Sequence, residues 1–333
     1  MRAIILAAGE GSRLRPFTVT KPKPMVRAAN KPIAQHVVEA LVANGVKDVT
    51  FVLGYQRAKV QSYFGDGAKL GARVSYAFQE ALVGTAAALA TAPRPDGPVL
   101  VLGGDNVVDA NLIKSVLSAP GDGAVLAVHR SQNPSRYGVV SLDGSRVERI
   151  VEKPAVPRSE WVNTGVYRLS PAFYDRVVAS AERGVTGIPE ALQAAIEDGQ
   201  RVDAVRSSDL WSDAVYPWDL LRVHGELLRN RLPSAPKAPG VHVDAGVLLG
   251  DEVTLGPGTV LGAGTCIGNN VEVHPNCVLE NCVVYDDVRI GAGSVLRNTI
   301  VGEGTHVGAR ATAISGPCHV RTSDGWHGLD DFG

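Results

Sequence analysis

The 333-residue chain is poor in aromatic residues, 5% of its length, and has only four cysteines. It also lacks an excess of either charge, because 33 Lys and Arg stand against 34 Asp and Glu. That balance excludes the bulk polycationic surface that binds nucleic acid non-specifically. No apolar run is long enough for a membrane span. The longest uncharged, fairly apolar stretch is Ala81–Pro93, which falls short of the ~18–20 residues needed. The N-terminal run Ala3–Ala8, set between Arg2 and Glu10, is shorter than a secretory h-region and is followed by no cleavage pattern, so the expected compartment is the cytoplasm. Cys266, Cys277, Cys282 and Cys318 all fall in the last quarter without C-x-x-C spacing. Reduced, packed thiols are expected there, not a disulfide framework or a metal site.

Glycine, by contrast, is plentiful at 37 residues. The apolar fraction of 45% and charged fraction of 20% are those of a globular chain. Over the first ~230 residues, strand and helix patterns alternate. Arg2–Ala7 is a short buried-strand run. Ile33–Asn44 places Ile33, Val37, Ala40 and Leu41 on one helix face, with Pro32 before it and Gly45 after it. Strands follow at Val49–Leu53, Val74–Phe78 and Val99–Leu102, separated by helices at Arg57–Phe64 and Thr85–Thr91. This succession implies an α/β domain with a Rossmann-like, mainly parallel sheet. Val139–Leu142 and Arg146–Val151 flank Asp143-Gly144, which predicts a hairpin with a type I′ turn.

Three prolines in Pro233–Gly240 mark a stiff linker. The expected division is therefore a domain over 1–232, a linker over 233–240, a repeat domain over 241–320 and a tail over 321–333. In the repeat domain Val243, Leu249, Leu255, Leu261, Ile267, Val273, Leu279 and Tyr285 fall six apart. A second row, Val241 to Val283, runs two residues earlier, and the register slips by one after Tyr285 and again at Val301. A period of six suits neither a helix nor a single amphipathic strand. It suits a parallel β-helix of roughly four coils, whose open ends favour a homo-oligomer. The segment resembles the left-handed β-helix family of hexapeptide proteins.

The first strand leads into Leu6-Ala-Ala-Gly-Glu-Gly-Ser-Arg-Leu-Arg-Pro-Phe-Thr18. Small residues and glycines after a strand let backbone N–H groups approach an anion. Leu14 replaces the third glycine of a dinucleotide fingerprint, and no Gly-Lys-Ser/Thr follows. Arg13 and Lys21-Pro-Lys-Pro24 supply cations, and the prolines stiffen the segment carrying Lys23, which fits a triphosphate. These residues closely resemble the signature of the sugar-1-phosphate nucleotidylyltransferases, L-A-A-G-x-G-x-R-L-x-P-x-T followed by P-K-P. Further blocks extend the resemblance through residues 1–230, and the family includes members with a C-terminal left-handed β-helix.

The resemblance implies attack of a sugar-1-phosphate oxygen on the α-phosphorus of a nucleoside triphosphate, with pyrophosphate leaving. A phosphate monoester is already anionic near neutral pH, so positioning and charge neutralisation replace a general base. By the same resemblance Arg13, Lys23 and Lys153 are the catalytic cations, and Leu6, Ala8, Gly9, Gly11, Gln79, Gly84 and Thr85 surround the nucleotide. Gly138, Glu152, Asn163 and Thr164 meet the sugar. Asp105, at the carboxyl end of Val99–Gly104, and Asp213, in Trp211-Ser-Asp, hold Mg²⁺. A Gln79 amide can donate to O4 and accept from N3–H of uracil or thymine, which favours UTP or dTTP. Glucose-1-phosphate or N-acetylglucosamine-1-phosphate is the favoured acceptor. A mannose-1-phosphate guanylyltransferase, a bifunctional nucleotidyl/acetyltransferase and a non-catalytic NDP-sugar-binding subunit are the alternatives. Three departures stand out: Val215 where the family has Gly, Arg27 where many relatives have Pro, and Arg183-Gly-Val-Thr-Gly187 where the family has R-G-E-x-E. His274, His306 and His319 lie on the repeat, without the long inserted loop an acyl-CoA site needs.

Overall fold

A computed structural model describes residues 1–81, 83–229, 239–314 and 318–327. The chain divides into two compact units that are not collinear with the sequence. The first comprises Met1–Glu10, Pro22–Met25 and Ile33–Ser212, and the second Gly11–Lys21, Val26–Pro32 and Asp213–Gly333. Most of the expected linker, 233–238, lies outside the described residues.

The first unit is built on a nine-stranded sheet. Arg73–Phe78, Asp48–Leu53, Arg2–Ala7 and Val99–Gly103 run parallel as neighbours. Trp161–Leu169 then pairs antiparallel with Val99–Gly103, and the sheet is mixed from there on. The pleat sends alternate residues to two cores. Ile4, Val52 and Val101 enter one, while Ala3, Ile5, Phe51, Leu100 and Leu102 enter the other. Strands buried on both faces need such continuous apolar runs, and each large side chain contributes ~1.5–3 kcal/mol on burial. Helix Ile33–Ala43 covers one face with Val37, Val38 and Leu41, and Arg57–Phe64 covers it with Val60 and Phe64.

The expected hairpin forms between Gly138–Asp143 and Arg146–Glu152, but its turn differs. Arg146 pairs with Asp143, so Gly144 and Ser145 occupy the turn. Of these only Gly144, at φ 58°, has a positive φ. A type I′ turn needs two positive values; one, at a leading glycine, is the II′ pattern.

In the second unit short strands stack into three ladders of parallel strands, the arrangement of a left-handed β-helix. Val243, Leu261, Leu279 and Leu296 rise through one ladder, and Leu249, Ile267, Val284 and Val301 through the next. The inward residue that follows Leu279 is thus Val284, not Tyr285. The corner at Asn281, φ 50°, is one residue shorter than the one at Gly264 beneath it, and the register slips there. The second row shifts with it, so Cys282 rather than Val283 enters the core.

Corners of adjacent coils approach too closely for side chains. A Cβ on Gly256 would lie 2.5 Å from the Pro275 nitrogen. Residues 321–327, expected as tail, belong instead to the hairpin His319–Thr322/Gly325–His327. Its second strand covers the edge of one ladder, which an open coil would leave unpaired. Among the described residues, no helix is long and apolar enough to cross a membrane.

All four cysteines are buried, and none forms a disulfide. Burial pushes the Cys282 and Cys318 thiols up to about 12 and raises Cys277 as well. An aromatic disulfide reagent at pH 8 is therefore expected to titrate none of them in the native protein and all four in denaturant. Fast reaction of any thiol in the folded state would contradict this packing.

Candidate active site

In the first unit the opening strand ends in backbone already committed to its neighbours. Leu6 O accepts from Gly104 N at 2.8 Å, and Ala8 O accepts from Tyr55 N at 3.1 Å. A Cβ on Gly9 would meet nothing within 4 Å, so protein packing leaves room for a group to approach there.

Lys23 sits in the short 3-10 turn Lys23–Met25 and is only 9% exposed. Its Nζ donates to Asp105 Oδ2 at 2.9 Å. Two residues expected in different roles, phosphate cation and metal ligand, are thus one ion pair. Nothing in their spacing signals this, because they lie 82 positions apart.

Asn163, Thr164 and Gly165 form an irregularity in Trp161–Leu169, whose pairing register shifts between Asn163 and Tyr167. Gly165 takes φ 75°, and its N–H donates to Asn163 Oδ1 at 3.0 Å. Asn163 Nδ2 donates to the buried Tyr167 hydroxyl at 2.6 Å. Thr164 Oγ1 donates to Ala127 O at 2.9 Å. The Thr164 carbonyl accepts from Trp211 Nε1 at 2.9 Å and from Asn106 Nδ2 at 3.3 Å. Only the fold shows Asn106 and Trp211 joining the Asp105 strand end to the 163–165 bulge. Tyr137 meets the Trp211 ring edge-on with centroids 5.2 Å apart.

The Glu152 carboxylate lies against Gly138, where a Cβ would come within 2.9 Å of Oε2. Lys153, at φ 42°, keeps its ammonium 3.4 Å from Glu152 Oε1, and its N–H donates to Tyr137 O. Half-exposed on both sides, this pair stays available to an anion and a hydroxyl.

Gln79 is 7% exposed, and its Nε2 donates to Gly84 O at 3.2 Å. One of its two N–H donors is thus engaged inside its own loop, and the other remains for a base. Thr85 Oγ1 accepts from Ile188 N at 3.0 Å, and Ala86 N donates to Thr186 O. Gly84, Thr85 and Ala86 therefore dock on 186–188, which overlaps the stretch that departs from the family's R-G-E-x-E block.

Arg13, Gly11 and Asp213 belong to the second unit. Gly11 takes φ 69°, its carbonyl accepts from Leu14 N and Thr18 Oγ1, and Arg13 is exposed. Arg222 Nη2 donates to Asp213 O at 2.7 Å. Val215 needs no glycine, because it avoids positive φ. Its N–H and that of Tyr216 donate to the buried Asp219 carboxylate, both at 2.9 Å. Sequence reasoning missed Asp219, whose signal is a carboxylate at the start of helix Asp219–Leu228.

Comparison with known proteins gives a consistent answer. A family profile described as nucleotidyl transferase matches residues 2–230, and one described as GMPPB C-terminal domain matches 243–320. Mannose-1-phosphate guanylyltransferase 1 of Arabidopsis thaliana is 33% identical over 92% of this chain and 88% of its own. The low-salt glycan biosynthesis nucleotidyltransferase Agl11 of Haloferax volcanii is 32% identical over 74% of this chain and 71% of its own. A solved putative glucose-1-phosphate thymidylyltransferase from Bacillus anthracis, in complex with a sucrose, superposes with a TM-score of 0.63 at 26% identity, covering 69% of this chain and 96% of that one.

Proposed function

The chain belongs to the nucleotidyl transferase family, and we propose that it transfers a guanylyl group from GTP to mannose-1-phosphate, releasing pyrophosphate. The observation that carries this reading is the relatives matched across both parts of the chain, which are named as mannose-1-phosphate guanylyltransferases. Gln79 does not decide the base: with one Nε2–H bonded to Gly84 O, its amide keeps a second N–H donor and the acceptor Oε1.

In this reading the phosphate oxygen of the sugar is the nucleophile and needs no base. Arg13, Lys23 and Lys153 neutralise charge that builds on the triphosphate during in-line displacement. Glu152 and Asn163 orient the sugar hydroxyls. Aspartate carboxylates are the donors that Mg²⁺ takes, a hard cation that completes its shell with phosphate oxygens and water. Asp105 and Asp213 would hold it, and it would supply charge stabilisation at the α-phosphate.

Pyrophosphate release with Mg²⁺, measured for five nucleoside triphosphates against several sugar-1-phosphates, tests the reading. GTP with mannose-1-phosphate is expected to give the highest kcat/KM. A dominant UTP or dTTP row with glucose-1-phosphate would overturn the base assignment and favour pyrimidine reading by Gln79.

A further inference from the structure

The signature loop carrying Arg13 packs with the β-helix in the second unit. Within itself it is turned by Leu14 N to Gly11 O, Arg15 N to Ser12 O, Phe17 N to Leu14 O and Val19 N to Pro16 O, and by Thr18 Oγ1 to Gly11 O. Residues far along the chain meet it, and meet the segment Val26–Pro32 that follows it. The Phe17 and Tyr285 rings lie 5.5 Å apart at 48°. Tyr285 Oη donates to Arg27 O at 3.1 Å. Lys21 pairs with Glu303, and Arg27 with Asp286. Asn30 Nδ2 donates to Ile267 O at 2.7 Å, and Cys266 Sγ donates to Asn30 Oδ1. His224 Nδ1 accepts from Ala29 N, which leaves Nε2–H to donate to Arg27 O at 3.2 Å. The Arg27 carbonyl thus receives two donors, matching its two lone pairs.

Tyr285 holds this position because of the shortened corner at Asn281. Had the six-residue step continued, Tyr285 would enter the coil core. With Val284 taking that place, the Tyr285 ring turns outward and is still only 7% exposed, covered in part by Phe17.

We propose that the β-helix holds the signature loop in its triphosphate-binding shape, with Tyr285 as the positioning residue. The proposal rests on the nucleotide reading above in one respect, that Arg13 meets the triphosphate. Tyr285 acts through the loop and does not touch substrate. The β-helix then has a part in catalysis that requires no effector and no second subunit.

The test uses the full-length Tyr285→Ala, Tyr285→Phe and Phe17→Ala proteins. In Tyr285→Ala, hydrogen exchange at the Leu14, Arg15 and Phe17 amides is expected to quicken by about tenfold or more, while Arg2–Ala7 stays protected. KM for the nucleoside triphosphate is expected to rise about tenfold, with KM for the sugar phosphate unchanged, since small misplacements of a binding group have effects of this size. Tyr285→Phe keeps the ring and is expected to lose about threefold, the share of one neutral hydrogen bond. Unchanged loop exchange and unchanged nucleotide KM in folded Tyr285→Ala would overturn the proposal. So would a purely structural result, in which exchange rises evenly across the β-helix and kcat falls with the folded fraction at constant KM. Should Tyr285→Ala not fold, Tyr285→Phe and Phe17→Ala carry the same readouts. A wild type without turnover would defeat the nucleotide reading, whereas the exchange measurement would still decide the clamp.

Discussion

Asp105→Ala is expected to reduce turnover by about 10³-fold or more, equivalent to roughly 4 kcal/mol of transition-state stabilisation. Two effects coincide in that residue. It is the carboxylate proposed to hold Mg²⁺, and its Oδ2 also receives the Lys23 ammonium at 2.9 Å. Removing it withdraws a metal ligand and releases Lys23 from a fixed orientation. The fold is expected to survive, because the Asp105 side chain is 43% exposed and its loss leaves no cavity. Asp105→Asn separates the two roles. Its amide oxygen can still accept from Lys23, but the negative charge is gone, so positioning is kept and metal affinity falls. A folded Asp105→Ala enzyme with wild-type turnover would remove Asp105 from the chemistry. Pyrophosphate release and the thermal midpoint, measured on the same preparations, distinguish the cases.

Gly84→Ala is expected to cost about 2–4 kcal/mol in urea unfolding, by overpacking and by backbone strain together. The added Cβ would lie 2.1 Å from Thr186 O and 2.7 Å from Thr186 C, and Gly84 takes φ 116°. Backbone cannot yield as a side-chain tip can, so residues 84–86 must lift from 186–188. That movement also breaks the Gln79 Nε2 bond to Gly84 O, and KM for the nucleoside triphosphate is expected to rise with it. Wild-type stability in Gly84→Ala would show that the two stretches do not pack as described. Loss of stability with unchanged nucleotide KM would place Gly84 and Gln79 outside base binding.

The stretch 183–187 illustrates how far the sequence could be read. Its missing acids were legible, but its contact with Gly84 and Thr85 was not, because no local pattern encodes an encounter between residues a hundred positions apart. Val215 is a similar case. Substitution of a glycine suggested a distorted turn, yet Asp219 satisfies two N–H groups there without any positive φ. Gln79 was read by its hydrogen-bonding capacity, which composition reveals, whereas how much of that capacity remains depends on a neighbour that only the fold supplies.

By itself the sequence determined whatever follows from short-range periodicity and local chemistry. Buried parallel strands need unbroken apolar runs, helices need a 3.6-residue stripe, and coils of short strands need an apolar residue every six. The phosphate loop likewise declares itself by its glycines and cations. Tertiary structure alone decided which unit that loop joins, which cation pairs with Asp105, and which way Tyr285 faces. A one-residue corner deletion carries no weight in a hydrophobic pattern where Val284 and Tyr285 both fit the core. Stacking of Val284 over Ile267 decides between them, and it does so through packing between coils.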